Sequence, residues 1–108
     1  MVALPAVAHH TFAMFDWATK VQLQGTVKEL RWTNPHCYLQ LLVTRDGDVQ
    51  EWSLQMNAPM DLYHSGWRPT SLKPGDQVTV VINPAKAGQN SGRFVSAVGP
   101  DGKKLSSG

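Results

Sequence analysis

A single cysteine, Cys37, in a chain of 108 residues excludes an internal disulfide. Charge is sparse as well. Ten Lys and Arg stand against eight Asp and Glu, for a formal net charge of +2. The basic residues are scattered, which argues against a protein built to lie on a phosphate backbone, so no nucleic-acid partner is expected. No run approaches the ~18 consecutive apolar residues of a membrane span. Cys-x-x-Cys, His-Glu-x-x-His and a Gly-rich phosphate cradle are all missing. Ser53, Ser65 and Ser71 lack a nucleophile elbow, and Asp16, Glu29, Glu51 and Asp61 show no spacing that would pair them as glycosidase carboxylates. No catalytic residue set and no organic cofactor is indicated, so a binding role ranks ahead of an enzymatic one.

What is present is enough apolar residue, 42% of the chain against 17% charged, for one domain with one modest core. The first eight residues, Met-Val-Ala-Leu-Pro-Ala-Val-Ala, read like the end of a secretory signal, with Ala6 and Ala8 at the minus-three and minus-one positions of a cleavage site. The expectation is an exported protein, periplasmic or secreted, whose mature form starts at His9. The alternative is a short apolar arm belonging to the domain. Residues 9–19 hold neither strand nor helix period and read as an N-terminal arm, residues 20–99 as the domain, and residues 100–108 as a flexible tail.

Within the domain, Val21, Leu23, Gly25 and Val27 alternate with polar residues, the pattern of a strand buried on one face. Leu30 and Trp32 then continue the apolar series on the other parity, which predicts a bulge near Glu29. Leu39, Leu41 and Val43 mark a second strand, and Arg45-Asp46-Gly47-Asp48 closes a hairpin to a third, with Trp52, Leu54 and Met56 facing inward. Asn57 as a cap, Ala58-Pro59 as a first turn and Gly66 as a stop outline a short helix. After Pro74-Gly75, Val78, Val80 and Ile82 form a fourth strand, and residues 93–98 a fifth. Five strands with one short helix between the third and fourth is the order of an OB-fold, a five-stranded Greek-key barrel, and the competing arrangement is a sandwich of the same segments. In the barrel, loops 33–36 and 83–92 flank the binding face.

Loop Arg31-Trp32-Thr33-Asn34-Pro35-His36-Cys37 gathers an indole, an amide, an imidazole and the thiol between two strands, and loops on rigid scaffolds carry function. Four histidines, His9, His10, His36 and His64, are the main chemical asset. If export cleavage falls after Ala8, His9 carries an α-amino group beside its own imidazole, two nitrogen donors for one ion. With His10 or His36 added, the set suits copper, whose divalent ion prefers tetragonal nitrogen ligands; zinc is the other transition metal considered. Metal candidates are therefore His9, His10 and His36. His64 reads as a solvent-facing helix end and Cys37 as a small buried apolar residue. Trp32, Asn34, Trp67 and Met56 are candidates for lining a ligand site. The alternative function is a metal-free interaction module gripping a peptide, glycan or small apolar ligand, or a periplasmic protein partner, on an aromatic face.

The segments His9-His10-Thr11-Phe12-Ala13-Met14-Phe15-Asp16, Gly25-Thr26-Val27-Lys28-Glu29, Arg31-Trp32-Thr33-Asn34-Pro35-His36 and Gly66-Trp67, followed by Leu72-Lys73-Pro74-Gly75-Asp76, resemble in order a bacterial family of domains of unknown function, number 6152. The resemblance implies a small exported protein and brings no activity, substrate or ligand. Thr11 and Asn83-Pro84 stand where it leads one to expect Ser and His-Pro.

Overall fold

In the computed structural model, which describes residues 13–106, the chain forms a closed five-stranded mixed β-barrel with one short helix and a sixth strand outside the ring. The strands are β1 (Val21–Arg31), β2 (Tyr38–Arg45), β3 (Asp48–Gln55), β4 (Gln77–Pro84), β5 (Ser91–Val98) and β6 (Lys104–Ser106), and the helix α1 is Pro59–His64. The ring runs β3-β2-β1-β4-β5 and closes where β3 meets β5. The expected OB-like barrel is therefore the architecture. No helix among the described residues is long and apolar enough to cross a membrane.

β1 is the strand that bends the sheet shut. Its first half pairs antiparallel with β4, from Val21 opposite Ile82 to Thr26 opposite Gln77; its second half pairs with β2, from Thr26 opposite Leu42 to Arg31 opposite Tyr38. The changeover needs a close approach of backbones at Gly25, where a Cβ would stand 2.5 Å from the Leu42 carbonyl oxygen and 2.9 Å from Leu41 Cγ. The register shifts between Val27 and Glu29, so the bulge lies at the change of apolar parity. There the Val27 N–H donates to the Asp76 carbonyl at 2.8 Å and its carbonyl accepts from Gly75 N–H at 2.8 Å, so the Pro74–Gly75 turn fills the interrupted ladder.

The barrel interior holds the inward positions the alternation marks, among them Leu23, Leu39, Leu41, Leu54, Val80, Ile82 and Phe94. Helix α1 caps the core with Leu62, its one buried residue. Met60 and Tyr63, which share the other side, face solvent at 65% and 50% exposure. Asn57 does not cap the helix as expected: the N-cap is Ala58, which makes no side-chain cap bond, and the Asn57 amide oxygen is engaged by β5 instead. Part of the stretch expected to be a flexible tail, residues 100–108, is paired. Residues 104–106 pair with β5, Leu105 opposite Ala97, and the Ser106 carbonyl takes a 2.7 Å hydrogen bond from the Trp67 indole, a long-range partner invisible to local pattern.

Outside the β1–β2–β3 face, Lys28 Nζ donates to Glu51 at 2.7 Å, Gln40 Nε2 donates to the other Glu51 oxygen at 2.7 Å, and Ser53 Oγ donates to Gln40 Oε1 at 2.7 Å. The Lys28 hydrogen bond first, and that of Gln40 second, hold the Glu51 carboxyl below its ordinary value near 4.5. A carboxyl with a depressed folded pKa contributes stability that is present above its unfolded value and lost as pH falls through the folded one. Glu51→Gln is therefore expected to flatten the acid limb of the stability curve, read as a smaller drop in urea midpoint between about pH 6 and about pH 3 than the native chain shows. Equal drops would place the acid sensitivity elsewhere.

Candidate functional site

The structure brings the first inter-strand loop, the end of β3 and the start of β5 to one end of the barrel. The β2–β3 pairing continues past the strands, with Met56 N–H donating to the Cys37 carbonyl at 2.8 Å and Cys37 N–H to the Asn57 carbonyl at 3.0 Å. Thr33 Oγ1 ties the loop by donating to the His36 carbonyl at 2.8 Å, and the Asn34–Pro35 peptide within it is cis. His36, half-buried, then lies with Nδ1 3.0 Å from the Met56 carbonyl oxygen. A carbonyl only accepts, so Nδ1 carries the proton. In the neutral ring Nε2 is thereby left as the nitrogen with the free lone pair.

The same carbonyl accepts a second donor. Arg93, at the start of β5, sends Nη1 to Met56 O at 2.9 Å and to Gln55 Oε1 at 3.2 Å, and Nη2 to Asn57 Oδ1. Burial pushes the guanidinium pKa down, an effect partly opposed by nearby Tyr38. Sequence reasoning missed both Arg93 and the role of Asn57. Arg93 reads there as a strand start, and its importance depends on the parallel β3–β5 register, Gln55 opposite Arg93. The available hint was an Arg immediately before Phe94 on a half-buried strand.

The N-terminal arm arrives at this end too. Phe15 is buried and bridges Ala85, Asp16 N–H donates to the Pro84 carbonyl at 2.9 Å, and Lys86 N–H donates to the Met14 carbonyl at 3.0 Å. Asn83 Nδ2 reaches the Thr19 carbonyl at 2.9 Å, and Asn83 is the cross-strand neighbour of Arg93. His9 and His10 lie outside the described residues. Among the described residues no three His, Cys, Asp or Glu side chains gather as a metal site, so those residues alone do not complete a three-ligand site around His36.

The remaining candidates separate. Trp32 is half-buried and lines an apolar cleft of about 230 Å³ with Pro59, Met60 and Tyr63. Arg68 stacks its guanidinium 3.7 Å from the Tyr63 ring centroid beside it. Asn34 is exposed at the loop tip. Trp67, a candidate for lining a ligand site, is buried. It is 2% exposed, packs edge-on against Phe94 with centroids 5.5 Å apart, and belongs to the core. The Met56 side chain is likewise fully buried; what Met56 gives the site is its carbonyl. Cys37 is fully buried, and burial raises its thiol pKa against a smaller lowering by a Thr33 backbone hydrogen bond, so it stays a protonated apolar group. His64 is exposed at the helix end.

Neither the curated proteins nor the solved structures contain a match to this chain. A family model does match it, over residues 1–94, which takes in the loop of His36, the arm and the start of β5. The chain belongs to the family of unknown function DUF6152.

Proposed function

We propose that this chain is a small periplasmic binding protein that holds a transition metal, copper before zinc, with His36 as the ligand supplied by the barrel and His9 and His10 as those supplied by the arm. The observation that carries the reading is the His36 Nδ1 bond to the Met56 carbonyl. An imidazole whose other nitrogen is fixed on a backbone carbonyl has its tautomer and ring plane set for ligation through Nε2. Support also comes from the arm, which is hydrogen-bonded at Asp16 and Thr19 to the end of β4, beside the strand that carries Arg93. The bound nitrogens must be deprotonated, so affinity falls on acidification.

The test is titration of Cu(II) into protein beginning at His9, followed by absorbance and electron paramagnetic resonance. His36→Ala is expected to weaken binding by about tenfold or more, the usual scale for loss of one ligand or its support. Equal affinity in the variant would remove the barrel from the site.

A second reading rests on the cleft of Trp32, Pro59, Met60 and Tyr63: a metal-free module that grips a peptide, glycan or small apolar ligand there. Its apolar walls, two of them the exposed side chains of Met60 and Tyr63, are the specific feature in its favour. Metal content of natively exported protein separates the two, since an empty protein with a ligand-induced change in tryptophan fluorescence sides with the cleft.

A further inference from the structure

All eight acidic side chains of the sequence fall within residues 13–106, and the ion pairs among these described residues are Lys28–Glu51 and Arg31–Glu29. Arg93 has none. Its guanidinium is half-buried and, among the described residues, hydrogen-bonds only to neutral oxygens, those of Gln55, Met56 and Asn57. A cation withdrawn from water without an anionic partner is costly, and neutral hydrogen bonds compensate less than a carboxylate or phosphate would. If Arg93 served only to tie β3 to β5, an uncharged donor could make those bonds without the desolvation.

The guanidinium is also not saturated. Arginine offers five N–H groups in a planar fork. Both protons of Nη1 and one of Nη2 have acceptors among the described residues, which leaves the second Nη2 proton and the Nε proton uncommitted there. The three existing bonds fix the plane of the fork before any ligand arrives, which lowers the ordering cost of binding. The His36 ring lies alongside, because its Nδ1 and Arg93 Nη1 each stand about 3 Å from one oxygen.

We propose that Arg93 is the cationic centre of a binding site for a small oxyanion, a carboxylate or a phosphate, at the end of the barrel where β3 closes on β5. The oxyanion supplies the missing counter-charge and accepts from the Nε and Nη2 protons. This site needs no metal and does not depend on the metal reading of His36.

The test uses the full chain, treated with chelator and labelled with nitrogen-15, and follows the Arg93 Nε–H resonance on the native protein. Sodium phosphate and sodium acetate are titrated in separate arms, with sodium chloride at matched ionic strength as the reference. A saturable shift with half-saturation around a millimolar is expected in at least one oxyanion arm. Which arm saturates identifies the class. Arg93→Lys keeps the charge and loses the fork, and is expected to weaken binding about tenfold. A drift no different from chloride in both arms, or saturation unchanged in a folded Arg93→Lys, overturns the proposal; should that variant not fold, the native resonance still decides. Because metal is stripped throughout, failure here leaves the copper titration untouched, and a failed copper titration leaves this one standing.

Discussion

Trp67→Ala is expected to destabilise the barrel by about 3–5 kcal/mol, the range for deleting a buried indole or phenyl side chain from a core. The Trp67 ring is buried against Phe94 and its N–H is spent on the Ser106 carbonyl. Small domains have about 5–15 kcal/mol of stability in total, so the loss brings the variant close to its folding threshold. Trp67→Phe divides the effect. It keeps most of the apolar volume and the edge-on stacking but removes the donor to the Ser106 carbonyl, a loss of about 0.5–1.5 kcal/mol because Ser106 is exposed to water. Urea unfolding followed by circular dichroism gives both energies, and amide exchange at Leu105 reports whether β6 has let go of β5. If Trp67→Phe exchanges at Leu105 like the native chain, the indole bond is not what holds the outer strand.

Gly25→Ala is expected to rank second, with a loss of about 1–3 kcal/mol or more from overpacking. The clash is with main chain: the new carbon would lie 2.5 Å from the Leu42 carbonyl oxygen, and relief requires β1 and β2 to part where β1 changes partner. Gly92 is similar in kind, since a Cβ there would meet the Asn83 carbonyl oxygen and Ile82 Cδ1 at 2.7 Å, next to the β3–β5 joint. Gly99 is the control. Its nearest neighbour would be Asp101 Oδ1 at 3.4 Å, so Gly99→Ala should fall within about 0.5 kcal/mol of the native chain. A thermal melt series of the three variants checks the order, and a Gly25→Ala as stable as Gly99→Ala would mean that the backbones separate at little cost.

The barrel was legible because its strands are buried on one face, so that alternation around Leu39, Trp52 and Val80 writes both the strand and the side that faces in. The bulge was legible for the same reason: apolar parity changes between Val27 and Leu30, and only an extra residue in the ladder keeps both halves inward. Residues whose roles depend on contacts across the fold were misread. Asn57 looks like a helix cap from its neighbours, yet Arg93, 36 positions away in sequence, claims its amide oxygen. Residues 104–106 look like a tail, yet the Trp67 indole and β5 hold them. The Trp67 and Met56 side chains lie in the core, an orientation that sequence leaves open because aromatic and thioether side chains serve core and surface equally well. His36 is where loop chemistry suggested, and its partner carbonyl could not have been found without the β2–β3 register.

The hydrogen bonds that fasten the arm to the end of β4 have one further consequence. With Met14 and Asp16 held against Lys86 and Pro84, chain length alone limits a donor four or five residues before Met14 to roughly 13–18 Å from that anchored backbone. Inside that radius its encounter with the barrel end is governed by an effective concentration in the millimolar range, whatever the protein's dilution. In the proposed site, the first nitrogen to capture an ion would make the capture by the next one intramolecular, so a site split between arm and barrel would gain chelate strength from the tether itself.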